Sequence, residues 1–311
     1  MAQSRSYCKL LLLVAALLCG QTTKAEEEYF STAQNTLSHY LGISIGGAEC
    51  NNLDNTDVSI KHHMGWDAAL ALRYEMQYRT WFWGLGIEAA FQNLSNTTSF
   101  ADSTQRVDID GDIFNYQYIY TSFMEKDWLA NISVPLYVGK YFSKVYATLG
   151  LAVEIPLWAQ YTTQTDMYTQ GVYPWSITPI VSEGGNDFSS LGFYPTQQYT
   201  YTANYDELIC LVPFVEIGYD FLHTEKINLR LGAYASYAIP VAAPKMVAIS
   251  DYSAVDCNPK TQNQANLQKN IRWNPIRLSD KYLATQYKLE AGIKFTVLFN
   301  LPEHVDCMCE E

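Results

Sequence analysis

The sequence predicts an all-β chain: an eight-stranded antiparallel transmembrane β-barrel with short periplasmic turns and long extracellular loops. Three observations carry that expectation. Apolar and polar residues alternate with a period of two through several long segments. The apolar row of those segments is almost free of charge. The segments are also joined alternately by very short and very long links, as in bacterial outer-membrane barrels.

The stretch Gly65–Gln92 sets the plan. Trp66, Ala68, Leu70, Leu72, Tyr74, Met76 and Tyr78 alternate with Asp67, Ala69, Ala71, Arg73, Glu75 and Gln77. Arg79-Thr80 break the pattern for two residues, and it resumes as Trp81, Trp83, Leu85, Ile87, Ala89 and Phe91. A two-residue turn sets Tyr78 opposite Trp81, which puts Tyr74 against Leu85 and Leu72 against Ile87. On the polar side Arg73 then lies diagonal to Glu88, within reach of an ion pair. Aromatic residues gather at the two ends and aliphatic ones between. An apolar band between two aromatic girdles is the outer face of a membrane barrel. A soluble antiparallel sheet is the competing reading of this hairpin alone.

The other strands follow the same plan. The first spans 39–48, with Leu41, Ile43 and Ile45 on one face. Leu129–Phe142 places Ile132, Val134, Leu136 and Val138 outward, and Ser143-Lys144 turn the chain. Val145–Tyr161 continues with Leu157, Ala159 and Tyr161 still in the outward row and Trp158 inward. The hairpin 207–240 carries Tyr219 and Phe221 outward and sets Glu216 diagonal to Arg230. The last strand, 282–299, ends on Phe299. Short links at 79–80, 143–144 and 222–226 face long ones at 49–64, 93–127, 162–206 and 241–281. Within 93–127, Ile113–Phe123 alternates enough for a strand extension, and the Tyr-rich run 194–205 suits either a recognition loop or strands rising above the membrane. A charge on the lipid face costs ~2–4 kcal/mol at mid-membrane. Lys140 is the one such charge in the outward rows, two residues from a periplasmic turn, where it can snorkel.

Residues 1–25 read as a secretory signal: Arg5 and Lys9, an apolar run Leu10–Leu18, then Thr23-Lys24-Ala25. Residues 26–38 read as a periplasmic lead-in, 39–299 as the barrel and 300–311 as a C-terminal tail. Hydrophobic residues make up 48% of the chain, yet mean hydropathy is only −0.12, because apolar residues alternate instead of clustering. No stretch is long enough for a transmembrane helix. Beyond the signal, 17 basic residues face 32 acidic ones, a formal charge of −15. That argues against nucleic acid as a partner.

At this point the chain resembles the OmpA-type transmembrane barrel and the porin-like small barrel families of Gram-negative bacteria. The likeness covers the signal and 39–299 through the alternation, the girdles and the strand ending in Phe299. It implies residence in the cell outer membrane, contact with outer-membrane lipid and insertion by the barrel assembly machinery. The resemblance breaks at LPEHVDCMCEE, which follows the terminal aromatic residue.

Three groups of residues are candidates for function. Inward-facing Arg73, Glu75, Glu88, Glu154, Glu216, Arg230, Lys288, Glu290 and Lys294, with Asp67 and Asp220, form a luminal charge network. In an eight-stranded barrel, side chains of this kind fill the interior, so a plugged core competes with a conducting pore. Trp66, Tyr78, Trp81, Trp83, Tyr219, Phe221 and Phe299 form the aromatic girdles. Cys50 and Cys257 are the one cysteine pair whose topology favours a disulfide, since the first and last strands must meet. His62 and His63 with Asp102-Ser103 loosely resemble the loop residues of the outer-membrane lipid A palmitoyltransferase; plain loop residues are the alternative. Asp108, Asp110 and Asp112 have calcium-like spacing but lack the later Glu of an EF-hand, and read as a turn. No cofactor or metal is expected. The leading function is a non-enzymatic outer-membrane barrel whose loops bind an extracellular ligand or mediate adhesion. A small channel and a lipid-modifying enzyme are the alternatives.

Overall fold

The computed structural model describes residues 37–53, 60–108, 110–176, 178–181, 193–224, 226–241, 248–252, 271–276 and 287–301. The segment 1–25 read as a signal, residues 302–311 of the C-terminal tail and Cys257 lie outside them. Twelve strands are seen in the described residues: β1 (Leu37–Leu53), β2 (Lys61–Tyr78), β3 (Trp81–Val107), β4 (Ile113–Phe142), β5 (Val145–Val172), β6 (Ile180–Val181), β7 (Gln197–Asn204), β8 (Cys210–His223), β9 (Ile227–Pro240), β10 (Ser250–Asp251), β11 (Arg272–Trp273) and β12 (Tyr287–Leu301). Eight of them close a ring in the order β1-β2-β3-β4-β5-β8-β9-β12, every neighbour antiparallel, with β12 returning to β1 through Leu41↔Phe299 and Ile43↔Val297. A closed ring pairs every strand edge, the condition for a sheet to cross lipid. No helix among the described residues is long and apolar enough to cross a membrane.

The opening hairpin has the register that its turn dictates: Tyr78↔Trp81, Tyr74↔Leu85 and Leu72↔Ile87. The turns at Arg79-Thr80 and Ser143-Lys144 both begin with a left-handed residue, Arg79 at φ 55° and Ser143 at φ 61°. Primed turns of this hand match the twist of the flanking strands. The Arg79 guanidinium lies 5.3 Å from the centre of the Tyr78 ring, which holds the strained residue in place.

Two features depart from the sequence reading. First, 93–127 is no irregular loop: β3 runs on to Val107 and β4 begins at Ile113, paired almost throughout from Phe82↔Gly139 to Val107↔Ile113. β5 continues likewise to Val172, and β7 pairs with it over Gln160–Met167. At ~3.3 Å per residue and a tilt near 40°, the part of β4 above Trp128 rises roughly 40 Å beyond the upper girdle. The barrel thus carries a β-tower on its extracellular side. Second, the outward row of β5 changes parity. Ala130 faces Trp158 while Asn131 faces Pro156, so Leu157 is an extra residue in a bulge. Pro156 has no N–H to give a ladder, and bulges are where such a residue is tolerated. Beyond the bulge Trp158 points outward, and Ala159 and Tyr161 are buried inside.

Below the tower the two faces are separate. Leu72 is 59% exposed on the outside, whereas Arg73 beside it is 5% exposed in the lumen. Lys140 rests with its ammonium 5.4 Å from the centre of the Trp81 ring and 5.2 Å from that of Phe142, at the periplasmic girdle. Leu72→Arg should therefore cost ~2–4 kcal/mol in urea titrations of the barrel folded in lipid. Arg73→Leu should destabilise by a different route, stranding inward carboxylates, and its cost should fall at low pH where they protonate. Equal pH dependence in both variants would refute the facing assignment.

Candidate functional site

The lumen is built in three tiers, and the lowest is closed. Arg230 Nη1 donates to Glu75 Oε2 at 2.8 Å, and Arg73 Nη1 lies 3.8 Å from Glu216 Oε2. Tyr137 donates to Glu75 at 2.9 Å and Tyr146 to Glu216 at 2.6 Å. The sequence reading set these partners differently. It placed Arg73 with Glu88 and Arg230 with Glu216, each within one hairpin. In the folded barrel Arg73 and Arg230 reach across the lumen to Glu216 and Glu75, and Glu88 goes to Lys294, because inward side chains of a narrow barrel meet strands on the opposite wall. The Arg230 guanidinium also sits 5.0, 5.1 and 5.4 Å from the ring centres of Phe82, Tyr141 and Tyr146. Glycines make room for these rings: a Cβ on Gly139 would run into Phe82, and one on Gly218 into Tyr146. Aromatic rings lying on glycines of neighbouring strands leave little free space at this level. Towards the periplasmic mouth His223 contacts Asp220 at 3.2 Å inside the lumen, and on the outer face His39 contacts Tyr74 at 2.6 Å.

The middle tier holds a partly open cavity of about 50 Å³, room for a few water-sized groups. Asp67, Glu88, Glu154, Glu290 and Lys294 are among the charged side chains on its wall. Lys294 Nζ donates to Glu88 Oε2 at 3.1 Å. Lys288 Nζ donates to Glu154 Oε1 at 2.6 Å and to Gln92 Oε1 at 2.9 Å, and lies 3.9 Å from Glu290 Oε1. Gln92 and Ser236 donate to the two oxygens of Glu290 at 2.7 and 3.0 Å. Above this level Leu94, Leu129 and Ala159 form a small apolar layer.

The upper tier is the tower interior, and here sequence reasoning missed the residues that matter. Phe114, Tyr116, Tyr118 and Tyr120 follow one another at a period of two along β4, and with Phe123, Tyr199 and Phe193 they line an aromatic core. The described parts of the last long loop fold down into it. Trp273 Nε1 donates to the Tyr120 hydroxyl at 3.3 Å, Tyr161 donates to the Trp273 carbonyl, and Tyr252 stacks on Tyr118 with ring centres 3.9 Å apart. The Ile276 amide donates to the buried Glu125 carboxylate at 2.8 Å. Burial pushes the Tyr120 phenol up to about 12, against the opposing effect of its hydrogen bonds to Ser250, Tyr252 and Trp273. The Tyr alternation over 114–120 was the available signal.

The remaining candidates are dispersed. Trp66, Tyr78, Trp81, Trp83, Tyr219, Phe221 and Phe299 are all exposed on the barrel exterior. Trp66 packs with Phe91 and Trp128, and Phe91 stacks on Trp158, forming the upper girdle. His62 hydrogen-bonds Asn96 at 2.8 Å and His63 hydrogen-bonds Thr97 at 2.9 Å, side by side on β2. Asp102 lies opposite Tyr118, seven positions along β3 from Ser95, the residue opposite His63. At ~3.3 Å per residue that separates them by roughly 23 Å, so the His and Asp-Ser pairs do not form one site. Cys50 lies on β1 opposite Gly65 and Glu290, while Cys257 is outside the described residues, so their pairing is not in view. Cys210 is buried in the lumen, its thiol donating to the Leu208 carbonyl at 3.6 Å.

Asp108, Asp110 and Asp112 form the turn at the tip of the tower. Asp108 Oδ1 accepts from the Asp110 and Asp112 amides, both at 2.9 Å, and Gly111 takes φ 91°. The hydroxyl of Tyr173, at the end of β5, donates to Asp108 Oδ2 at 3.1 Å. Desolvation, the largest single effect, acts upward on Asp108. The bonds from Asp112, Tyr173, Asp110 and Gly111 together outweigh it, and the carboxyl lies below its ordinary range. Burial, then the same bond to Asp108, push the Tyr173 phenol up to about 12.

Fold and site together define a membrane-spanning antiparallel β-barrel with a plugged periplasmic half and an extracellular tower. No protein-family model matches the chain, and neither does any curated protein. Among solved structures it is similar to Ail, the attachment invasion locus protein of Yersinia pestis, in complex with the heparin analogue sucrose octasulfate, at 8% identity and a TM-score of 0.26 over 85% of this chain and 99% of that one. It is also similar to the translocator domain of the autotransporter NalP from Neisseria meningitidis, at 8% identity and a TM-score of 0.19 over 93% and 97%. The monoaromatic hydrocarbon channel TodX follows at 8% identity and a TM-score of 0.15 over 87% and 91%. Likenesses this remote carry no argument, and the barrel rests on its own strand pairing.

Two outcomes follow from this geometry. Lys288→Met leaves Glu154 and Glu290 buried without their shared cation, and should cost ~3–5 kcal/mol in urea titrations at neutral pH. The Asp108 carboxyl is held low, so its contribution at the tip is present above the ordinary aspartate range and is lost as pH falls through the depressed value. Tyr173→Phe removes one donor, so carboxyl NMR titration should show the Asp108 pKa moving up; an unchanged value would mean that the bond is not made in solution.

Proposed function

We propose that this chain is an outer-membrane β-barrel of the cell surface, without enzymatic activity, whose tower presents a surface for extracellular binding or adhesion. The observation that carries the reading is the closed lower lumen beneath a tall, ordered extracellular structure. Arg230, Glu75, Phe82 and Tyr146 obstruct the path that a solute would take. Investment in more than a dozen residues of paired strand beyond the girdle suits a molecule that acts above the membrane. Outer-membrane lipid, the barrel assembly machinery and an extracellular ligand are the partners in this reading.

The middle cavity favours a second reading, a small channel that opens when the lower tier rearranges. Planar-bilayer recordings separate the two, with the closed-barrel reading expecting no unitary conductance steps. Replacing residues 95–125 by a short turn then tests the surface role. The shortened barrel should still fractionate with the outer membrane and keep heat-modifiable migration on gels, while cells expressing it lose attachment to host or matrix surfaces. Stable conductance from the intact protein, or attachment that survives removal of the tower, would overturn the proposal.

A further inference from the structure

The middle cavity is short of hydrogen-bond donors. Glu154, Glu290 and Gln92 accept from Lys288, Asn131, Ser236 and the Gln92 amide, and Glu88 accepts from Lys294. Both N–H groups of Asn131 are already directed outward from its amide, to Glu154 at 3.1 Å and Gln92 at 3.3 Å. Two acceptors on the same wall are left over. Asp67 Oδ2 and Asn131 Oδ1 are buried with no hydrogen-bond partner, in side chains 6% and 2% exposed. Neither is on the lipid face: Asp67 lies opposite Gln92 across β2 and β3, and Asn131 lies beyond it on β4. A buried carboxylate oxygen and a buried amide oxygen each lose their hydration at a net cost unless a donor replaces the water.

Charge points the same way. Four carboxylates, Asp67, Glu88, Glu154 and Glu290, line the cavity against the single ammonium of Lys294, with Lys288 joining from beside it. A ligand that satisfied this wall would carry positive charge and several N–H groups. A bare metal ion fits less well. Among the described residues no three His, Cys, Asp or Glu side chains gather to hold one, and three of the four carboxylates here already accept from protein donors. We infer that the middle cavity is a binding site for a small organic cation with N–H donors, an amine or a guanidine, which bridges Asp67 and Asn131. A planar guanidinium can donate to two acceptors at once. The site is separate from the tower surface proposed above, and one can fail without the other.

The test uses the full mature barrel folded in detergent micelles, with the Gln92 and Asn131 side-chain amides observed by NMR. Methylguanidinium chloride is titrated against sodium chloride at matched ionic strength. Saturable shifts at Gln92 and Asn131 with methylguanidinium, absent with sodium, are expected. Asp67→Asn should weaken that binding by about tenfold or more, the ordinary size of one charge-assisted hydrogen bond. Equal shifts from both salts would mean simple ionic screening, and no saturation would mean that water satisfies the two oxygens; either result overturns the site. So does an Asp67→Asn barrel that binds as the parent does. If that variant fails to fold, the comparison of the two salts on the parent protein still decides the question.

Discussion

The structure depends on one constraint: a strand in lipid has no water to satisfy its backbone. Every N–H and C=O across the apolar band must find a neighbouring strand, and the last strand must find the first. The pairing of β12 with β1, fifteen positions from His39↔Leu301 to Leu53↔Tyr287, is what completes the ring. The other properties follow from it. Closure fixes an inside and an outside, the side-chain period of two assigns each residue to one of them, and the outer row must then be apolar. Even the bulge at Leu157 obeys the rule, because it sits beside Pro156, a residue with no N–H to leave unpaired.

The same closure makes the lumen narrow, and narrowness decides its chemistry. Charged groups in a confined space are tolerable only when each has partners. The partners lie across the bore: Arg230 with Glu75 and Arg73 with Glu216 link the β2 wall to the β8–β9 wall. Aromatic rings seated on glycines close the gaps between them. Higher up, the wall runs out of donors before it runs out of acceptors, and a cavity remains. Above the membrane, water is available again, and the ring no longer has to be complete. There β3, β4, β5 and β7 continue as a tower whose interior is filled by tyrosines and by the returning segment around Trp273.

Much of the membrane part was legible in residues read singly. Leu72, Ile87, Leu136 and Val297 belong to rows that lipid allows only one kind of side chain to occupy, so alternation reveals the facing. The two-residue turn at Arg79-Thr80 sets a register by geometry alone. The tower was less legible, for a physical reason. Its outer face meets water and its inner face is built of Tyr, Thr and Gln, so the contrast between rows fades and strands such as Gln197–Asn204 resemble loops. The parity change after Pro156 was hidden likewise, since Ala159 and Tyr161 suit either face.

What the sequence by itself determined is the class of structure: strands, their facing, the alternation of short and long links, and the stock of luminal charge. These depend on interactions between near neighbours or with a uniform solvent, and both leave a periodic mark. Only the tertiary structure decided which charges meet, that the lower lumen is closed, and where acceptors are left over. Arg230 and Glu75 are 155 residues apart, and Asn131 and Glu154 are brought together with Lys288 from the far end of the chain. Contacts across a closed ring have no fixed spacing in sequence, so no period could announce them.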